Sequence, residues 1–140
     1  MVSVKANYAL HALFDLACQP MGAPAKISGI AKRREIPRKF LELILSGLRQ
    51  GGFVESRRGA EGGYLLARAP EQLTVGEVLR YLEGVWQGSS KNKERKDSPL
   101  AEVWKRVDKA VAEVLDRTTF ADLVREWNER QARQTPNWDI

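Results

Sequence analysis

Apolar positions near the start of the chain recur with a helical period. Leu10, Leu13, Phe14 and Ala17 fall on one side, with Leu16 beside them, and predict a helix over 6–18. Pro20, Gly22 and Pro24 end it. Ser28 is placed to cap a second, short helix running to Arg33 or Arg34, with Ile27 and Ile30 facing inward. Pro37 suits the first turn of a third helix, because its missing N–H has no intrahelical partner there, and Gly51-Gly52 stops that helix. At 100° per residue, Phe40, Leu41, Ile44, Leu45 and Leu48 gather on one side of this third helix. Arg38, Lys39, Glu42, Ser46 and Arg49 occupy the other side.

The period then changes. Phe53–Ser56 and Tyr64–Ala67 predict two short strands around the sequence RRGAEGG, whose glycines allow a tight turn. Thr74 and Glu77 have the spacing of a capping box for a fourth helix through Glu83, with Val75, Val78, Leu79 and Leu82 inward. Residues 84–99 follow no period and predict an exposed, mobile loop. Pro99 opens a long helix to about Arg117, with Leu100, Val103, Val107, Ala110 and Val114 at a/d spacing and Trp104, Val111 and Leu115 beside them. Thr119 and Asp122 repeat the capping pair before a last helix striped by Phe120, Leu123, Val124 and Trp127, and the polar residues 131–140 are expected to fray. No internal repeat or low-complexity tract interrupts this order.

The pattern is mainly α with a small β-hairpin: a helix-turn-helix with a wing, followed by a long C-terminal helix. It divides into a winged helix-turn-helix domain (1–84), a loop (85–98), a helical dimerisation region (99–130) and a tail (131–140). With 140 residues the chain buries enough surface to fold without disulfide or metal staples. One cysteine, Cys18, forms no intramolecular disulfide, and Cys18 with His11 supplies all the soft metal-ligand chemistry, so a structural zinc site is not expected. No charged leader, long apolar run or cleavage site opens the chain, and no run of about 18 apolar residues occurs, so the expectation is a mature cytoplasmic protein without a membrane partner.

Charge sharpens the picture. The chain carries a net +5, and residues 26–68 hold ten Lys and Arg against four Glu. An excess localised on the helix-turn-helix and wing points to a nucleic-acid partner, with a solvated basic face as the bland alternative.

These residues resemble the Rrf-two family of bacterial winged-helix regulators. NYALHALFDLA is similar to the family's opening helix, ISGIAKRREIPRKFLELILSGLRQGGFV to its helix-turn-helix, and SRRGAEGGYLLARAP followed by LTVGEVLRYLEG to its wing region. The resemblance covers residues 1–84 and implies a homodimer on imperfectly palindromic DNA. Its long helix would pack on the partner chain and across the partner's DNA-binding domain. Leu100, Val103, Trp104, Val107, Val111 and Val114 are the candidate dimer residues. Many members place three cysteines in the loop before the dimerisation helix, where they hold an iron–sulfur cluster. Here that loop has none, so no cofactor is expected. The chain is then nearer in type to the family's cysteine-metabolism repressor.

A DNA reading assigns each basic or small residue a task. Pro37 lies near phosphate at the positive end of the third helix, and Arg38 and Lys39 reach base edges from its first turn. Glu42 either accepts from cytosine N4 or pairs with Arg38 at i, i+4. Ser46 and Arg49 touch backbone, as do Ser28, Lys32 and Arg33 beside the turn. Arg57 and Arg58 enter a narrow minor groove where Gly62 and Gly63 let the backbone approach, or else only protect an edge strand. Tyr64 reads as core.

Other constellations count for less. His11, Asp15 and Cys18 share one face of the first helix, but one helix supplies no oriented base or oxyanion site, so catalysis is not expected. Cys18 is a possible redox residue or an idle thiol. Trp86 and Trp104 either line a pocket for a small-molecule effector or pack at the hinge, and Lys91, Lys93, Arg95 and Lys96 contact DNA or solvent. The effector expected is a small molecule or a protein, and the alternative functions are a winged-helix protein-interaction module without nucleic acid and a thiol-based redox sensor through Cys18.

Overall fold

The computed structural model describes residues 2–83 and 98–134. Much of the expected loop, with Trp86, Lys91, Lys93, Arg95 and Lys96, and the end of the expected tail lie outside the described residues.

Helix α1 spans Val4–Cys18, beginning earlier than the apolar period indicates because Ser3 caps it: the Ala6 amide donates to Ser3 Oγ at 3.1 Å. Helix α2 spans Ile27–Arg34. Its N-cap is Lys26 and not Ser28, which lies inside the first turn and is exposed. The apolar Ile27 is already helical, so the cap falls two residues earlier than Ser28, on a side chain with no acceptor. Glu35 (φ 54°) makes the turn and is the sole non-glycine residue at positive φ among those described. Its amide donates to the Ala31 carbonyl, and Ile36 buries its side chain before α3 begins.

Helix α3 spans Arg38–Gln50, with Pro37 at its N-cap. Leu41, Ile44, Leu45 and Leu48 are buried as expected. Phe40, expected inside, is 56 % exposed, as is 69 % of Leu43. Phe40 and Leu43 instead line an open groove between α1 and α3 with Val4, Tyr8 and Ile44, where the Phe40 and Tyr8 ring centroids lie 6.4 Å apart.

Strands β1 (Val54–Arg57) and β2 (Gly63–Leu66) pair antiparallel from Val54↔Leu66 to Arg57↔Gly63, about one residue from the sequence-derived limits. Gly59 (φ 101°) turns the wing, and the Gly62 amide closes it on the Gly59 carbonyl at 3.0 Å. Two 2.8 Å hydrogen bonds between Ala25 and Tyr64 fasten β2 to the segment ahead of α2. Tyr64 packs against the core, as read from the sequence.

A short 3-10 turn, Pro70–Gln72, leads to α4 (Val75–Glu83). Its capping box closes both ways: Glu77 N–H donates to Thr74 Oγ1 at 3.1 Å and Thr74 N–H to Glu77 Oε2 at 3.2 Å. Helices α5 (Ala101–Arg117) and α6 (Phe120–Gln134) follow, and Thr119 and Asp122 form the second box at 3.0 Å in each direction. Helix α5 starts after Pro99 because Leu100 is its N-cap, and α6 continues past the point where fraying was expected.

The core surrounds α1. Its small Ala9 and Ala12 are fully buried and let neighbouring helices approach closely, while Leu13, Ile30, Leu41, Leu45, Leu48, Val78 and Phe120 fill the space between. The α5–α6 corner is locked onto this core. Val75 N–H donates to the Thr118 carbonyl and Phe120 N–H to the Leu73 carbonyl, both at 2.9 Å. Arg80 pairs with Asp116 at 2.7 Å, and Gly76 is small because a Cβ there would strike that carboxylate.

Phe120→Ala removes a fully buried ring from this corner and should lower stability by about 3–5 kcal/mol in urea unfolding. The same corner carries an acid sensitivity. Arg80 holds the Asp116 carboxyl below the ordinary range, and the Thr119 amide, then its hydroxyl, does the same for Asp122. Both contributions are therefore present above the unfolded carboxyl value of about 3.9 and are lost as pH falls through the depressed ones. An Asp116→Asn, Asp122→Asn double variant should show a shallower loss of thermal stability between pH 4 and 2 than the parent, by roughly the contribution of these two groups.

Candidate nucleic-acid interface

Helices α2 and α3 and the wing form one side of the molecule, and most of the sequence-marked cations lie there. Lys32, Lys39, Arg49, Arg57 and Arg58 are exposed, as are Ser28 and Glu42, while Ser46 is half-buried. Arg38 pairs with Glu42 across one helical turn at 3.6 Å with both side chains mostly exposed, an arrangement worth little by itself and easily opened. Arg49 donates to Ser56 Oγ at 3.2 Å, linking the end of α3 to β1. Arg57 lies 3.8 Å from Glu55 on the same strand. Gly62 and Gly63 are required by crowding: a Cβ at the first would collide with the Arg57 carbonyl and at the second with that of Ala25.

Arg33 departs from its expected place beside the turn. Its Nε and Nη2 donate to the two oxygens of Asp15 at 2.9 and 2.8 Å, and Arg34 Nε adds a third bond at 3.1 Å. Asp15 is 1 % exposed, the one buried charged residue among those described. The hydrogen bond to the Asp15 carboxylate raises the Arg33 guanidinium further above its already high value. Arg34 also lies over the Phe14 ring, 5.2 Å from its centroid. Arg33 therefore ties α2 to α1, with its Nε and Nη2 engaged by Asp15. The signal for this was legible: Asp15 interrupts the stripe formed by Ala9, Ala12, Leu13 and Leu16, where an acid demands a cation.

Sequence reasoning also missed Lys26. It is exposed at the N-cap of α2, and with Arg38 and Arg57 it borders a cleft of about 430 Å³ between α2, α3 and the wing.

The other marked residues are dispersed. Cys18 is exposed at the end of α1, yet the chain around its sulfur raises the thiol pKa, a trend that Arg34 opposes only in part. That direction favours the thiol over the reactive thiolate. His11 lines a groove of about 380 Å³ between α1 and α6 with Phe14 and Trp127, whose rings meet edge-on. Along α5, no residue is buried: Leu100, Val103, Val107 and Val114 are exposed, while Trp104 and Val111 are half-buried. Trp104 Nε1 is buried without a hydrogen-bond partner among the described residues. Among those residues no group of His, Cys, Asp and Glu could hold a metal ion, and no helix is long and apolar enough to cross a membrane.

A buried helix-turn-helix followed by a two-stranded wing defines a winged-helix protein. The profile of the Rrf2 (Rrf-two) family, described as iron-dependent transcriptional regulator, matches residues 2–126. The chain belongs to this family, whose members are transcriptional regulators and not enzymes. It is 37 % identical over 122 residues to the HTH-type transcriptional regulator CymR of Bacillus subtilis, covering 87 % of this chain and 88 % of that one. The solved structure of B. subtilis CymR, described as the global cysteine regulator, superposes with a TM-score of 0.81 at 35 % identity, covering 90 % and 97 % of the two chains. IscR of T. potens gives 0.82 at 36 % identity, covering 98 % and 93 %.

The iron in the family description does not fit the donors present. Thiolate-held clusters draw on several cysteines. This chain has one cysteine and one histidine in its whole length. No chemistry is routed through iron here.

Asp15→Asn should cost about 2–3 kcal/mol in chemical unfolding, because it removes the charge that two guanidinia surround and leaves one amide to serve both. Cys18→Ser should change stability by less than about 0.5 kcal/mol under the same conditions, since the side chain is exposed.

Proposed function

We propose that the protein is a cytoplasmic repressor that binds an imperfect palindrome in double-stranded DNA as a homodimer and works without an iron–sulfur cluster. The observation that carries this reading is the outward face of α3, with Arg38, Lys39, Glu42, Ser46 and Arg49, set beside a wing bearing Arg57 and Arg58. Cations on two connected elements suit a major groove and the minor groove next to it.

Within this reading the roles divide. Arg38 and Lys39 approach base edges from the first turn of α3, close to Pro37. Glu42 holds Arg38 in the free protein and accepts from a cytosine amine once Arg38 turns to DNA. Ser28 and Lys32 contact phosphates, with Ser46 and Arg49 along the helix. Arg57 and Arg58 follow the minor groove over Gly62 and Gly63. Arg33 is not among the DNA contacts, because Asp15 engages it.

Dimerisation rests on α5, whose apolar stripe has no cover within the described chain. Its C-terminal end is locked to α4, so pairing two such helices would set the separation of two reading heads. Similarity alone does not choose between a cluster-bearing and a cluster-free regulator, for CymR and IscR match almost equally. The single cysteine supports the cluster-free choice.

The test is binding to duplexes selected from random DNA. Arg38→Ala should bring cognate and scrambled duplexes to within about tenfold of each other, whereas Lys32→Ala should weaken both equally and reduce the salt slope by about one unit. Val107→Glu should give a monomer in sedimentation and weaken palindrome binding by about a hundredfold or more. Equal losses from the Arg38 and Lys32 changes, or a monomeric parent indifferent to all DNA, would refute the reading.

A further inference from the structure

Lys26 occupies a position that local physics assigns to another kind of residue. An N-cap favours Ser, Thr, Asp or Asn, whose oxygen accepts from the first free amides. Lysine offers no acceptor and puts positive charge at the positive end of the helix dipole. Here it makes no capping bond, and no acidic residue in the first turn of α2 offsets it. Helix α3 repeats the pattern, with Pro37 at its cap, Arg38 and Lys39 following and no acid in its first turn.

These features meet in one place. Lys26, Arg38 and Arg57 border the cleft of about 430 Å³, together with the hydroxyl-bearing Ser28 and Ser56, and no carboxylate lines it. Arg38 and Arg57 are held only loosely, 3.6 and 3.8 Å from exposed glutamates on their own elements. Lys26 has no ion pair among the described residues. The bonds between Ala25 and Tyr64 fix the wing against the start of α2, so the three cations border a cleft of set shape. In the free protein exposed glutamates offset only Arg38 and Arg57, Lys26 is left without a counter-charge among the described residues, and a single anion between the three would satisfy it.

We infer that this cleft is a phosphate site in which Lys26 is the principal ligand, and that it receives one DNA backbone phosphate as the pin that sets the register of α3. The inference rests on the DNA-binding function proposed above and adds a contact to it. A phosphate held there carries no sequence information. It anchors the junction of helix-turn-helix and wing so that Arg38 meets a defined base step.

Lys26→Ser supplies the missing capping oxygen and removes the cation, and Lys26→Arg retains the charge. Thermal unfolding is followed with inorganic phosphate alone against chloride at equal ionic strength, and duplex binding is followed by fluorescence anisotropy. In the parent and in Lys26→Arg, phosphate should raise the melting temperature saturably. In Lys26→Ser the protein should melt higher without phosphate and gain little from it. That variant should bind the cognate duplex about three- to tenfold more weakly near 0.1 M salt, with the salt slope reduced by about one unit, and should prefer it less over the scrambled duplex because α3 loses the contact that sets its register. Equal stabilisation of all three proteins by phosphate, or parental duplex affinity and salt slope in Lys26→Ser, would overturn the inference and leave DNA binding standing. Phosphate stabilisation through Lys26 in a parent that binds no duplex would instead overturn the DNA reading and assign the cleft to a free phosphoryl ligand.

Discussion

The reading head is oriented by one buried carboxylate. Asp15 lies inside α1 and receives three hydrogen bonds from Arg33 and Arg34 at the end of α2. A carboxylate at that depth without partners would be strongly unfavourable, and the two guanidinia satisfy it with planar, directional bonds. The position of α2 against α1 follows from this tie. Through the single left-handed residue Glu35 and the buried Ile36, so does the start of α3. Three consecutive cations are thereby sorted. Arg33 and Arg34 are engaged by Asp15, Arg33 from an exposed position and Arg34 from a half-buried one, and exposed Lys32 has no part in the tie.

The wing and the C-terminal rod are joined to this frame by equally local devices. The paired bonds between Ala25 and Tyr64 bring the hairpin against the start of α2, so wing and helix-turn-helix share one cationic cleft. At the opposite end, Thr118, Phe120 and the Arg80–Asp116 pair attach the α5–α6 corner to α4. Helix α5 is then oriented by its end and not by burial of its length, since none of its residues is buried among the described residues. A helix with an apolar stripe and no internal cover has its natural stabilisation in a second molecule.

Much of this organisation was readable beforehand. The helix order, the hairpin, both capping boxes and the buried row of α3 came from periodicity and cap chemistry, which act over a few residues. The errors have specific causes. Ser28 has the chemistry of a cap because Ser caps helices, but the chain enters α2 two residues sooner, at Lys26. Phe40 was counted inside because a helical wheel shows which face it shares and not where the neighbouring helix ends. The sequence marks Arg33 as a free surface cation because a partner 18 positions away on another helix leaves no trace in the local pattern.

What the sequence determined by itself is the set of elements, the winged-helix class and the family, since each rests on short-range patterns or an ordered string of motifs. What only the tertiary structure decided is which charges are available. Asp15 and Arg33 are 18 positions apart, and Lys26, Arg38 and Arg57 come from three elements. Their meeting depends on how helices cross and where a strand is fastened, and no local period encodes that distance.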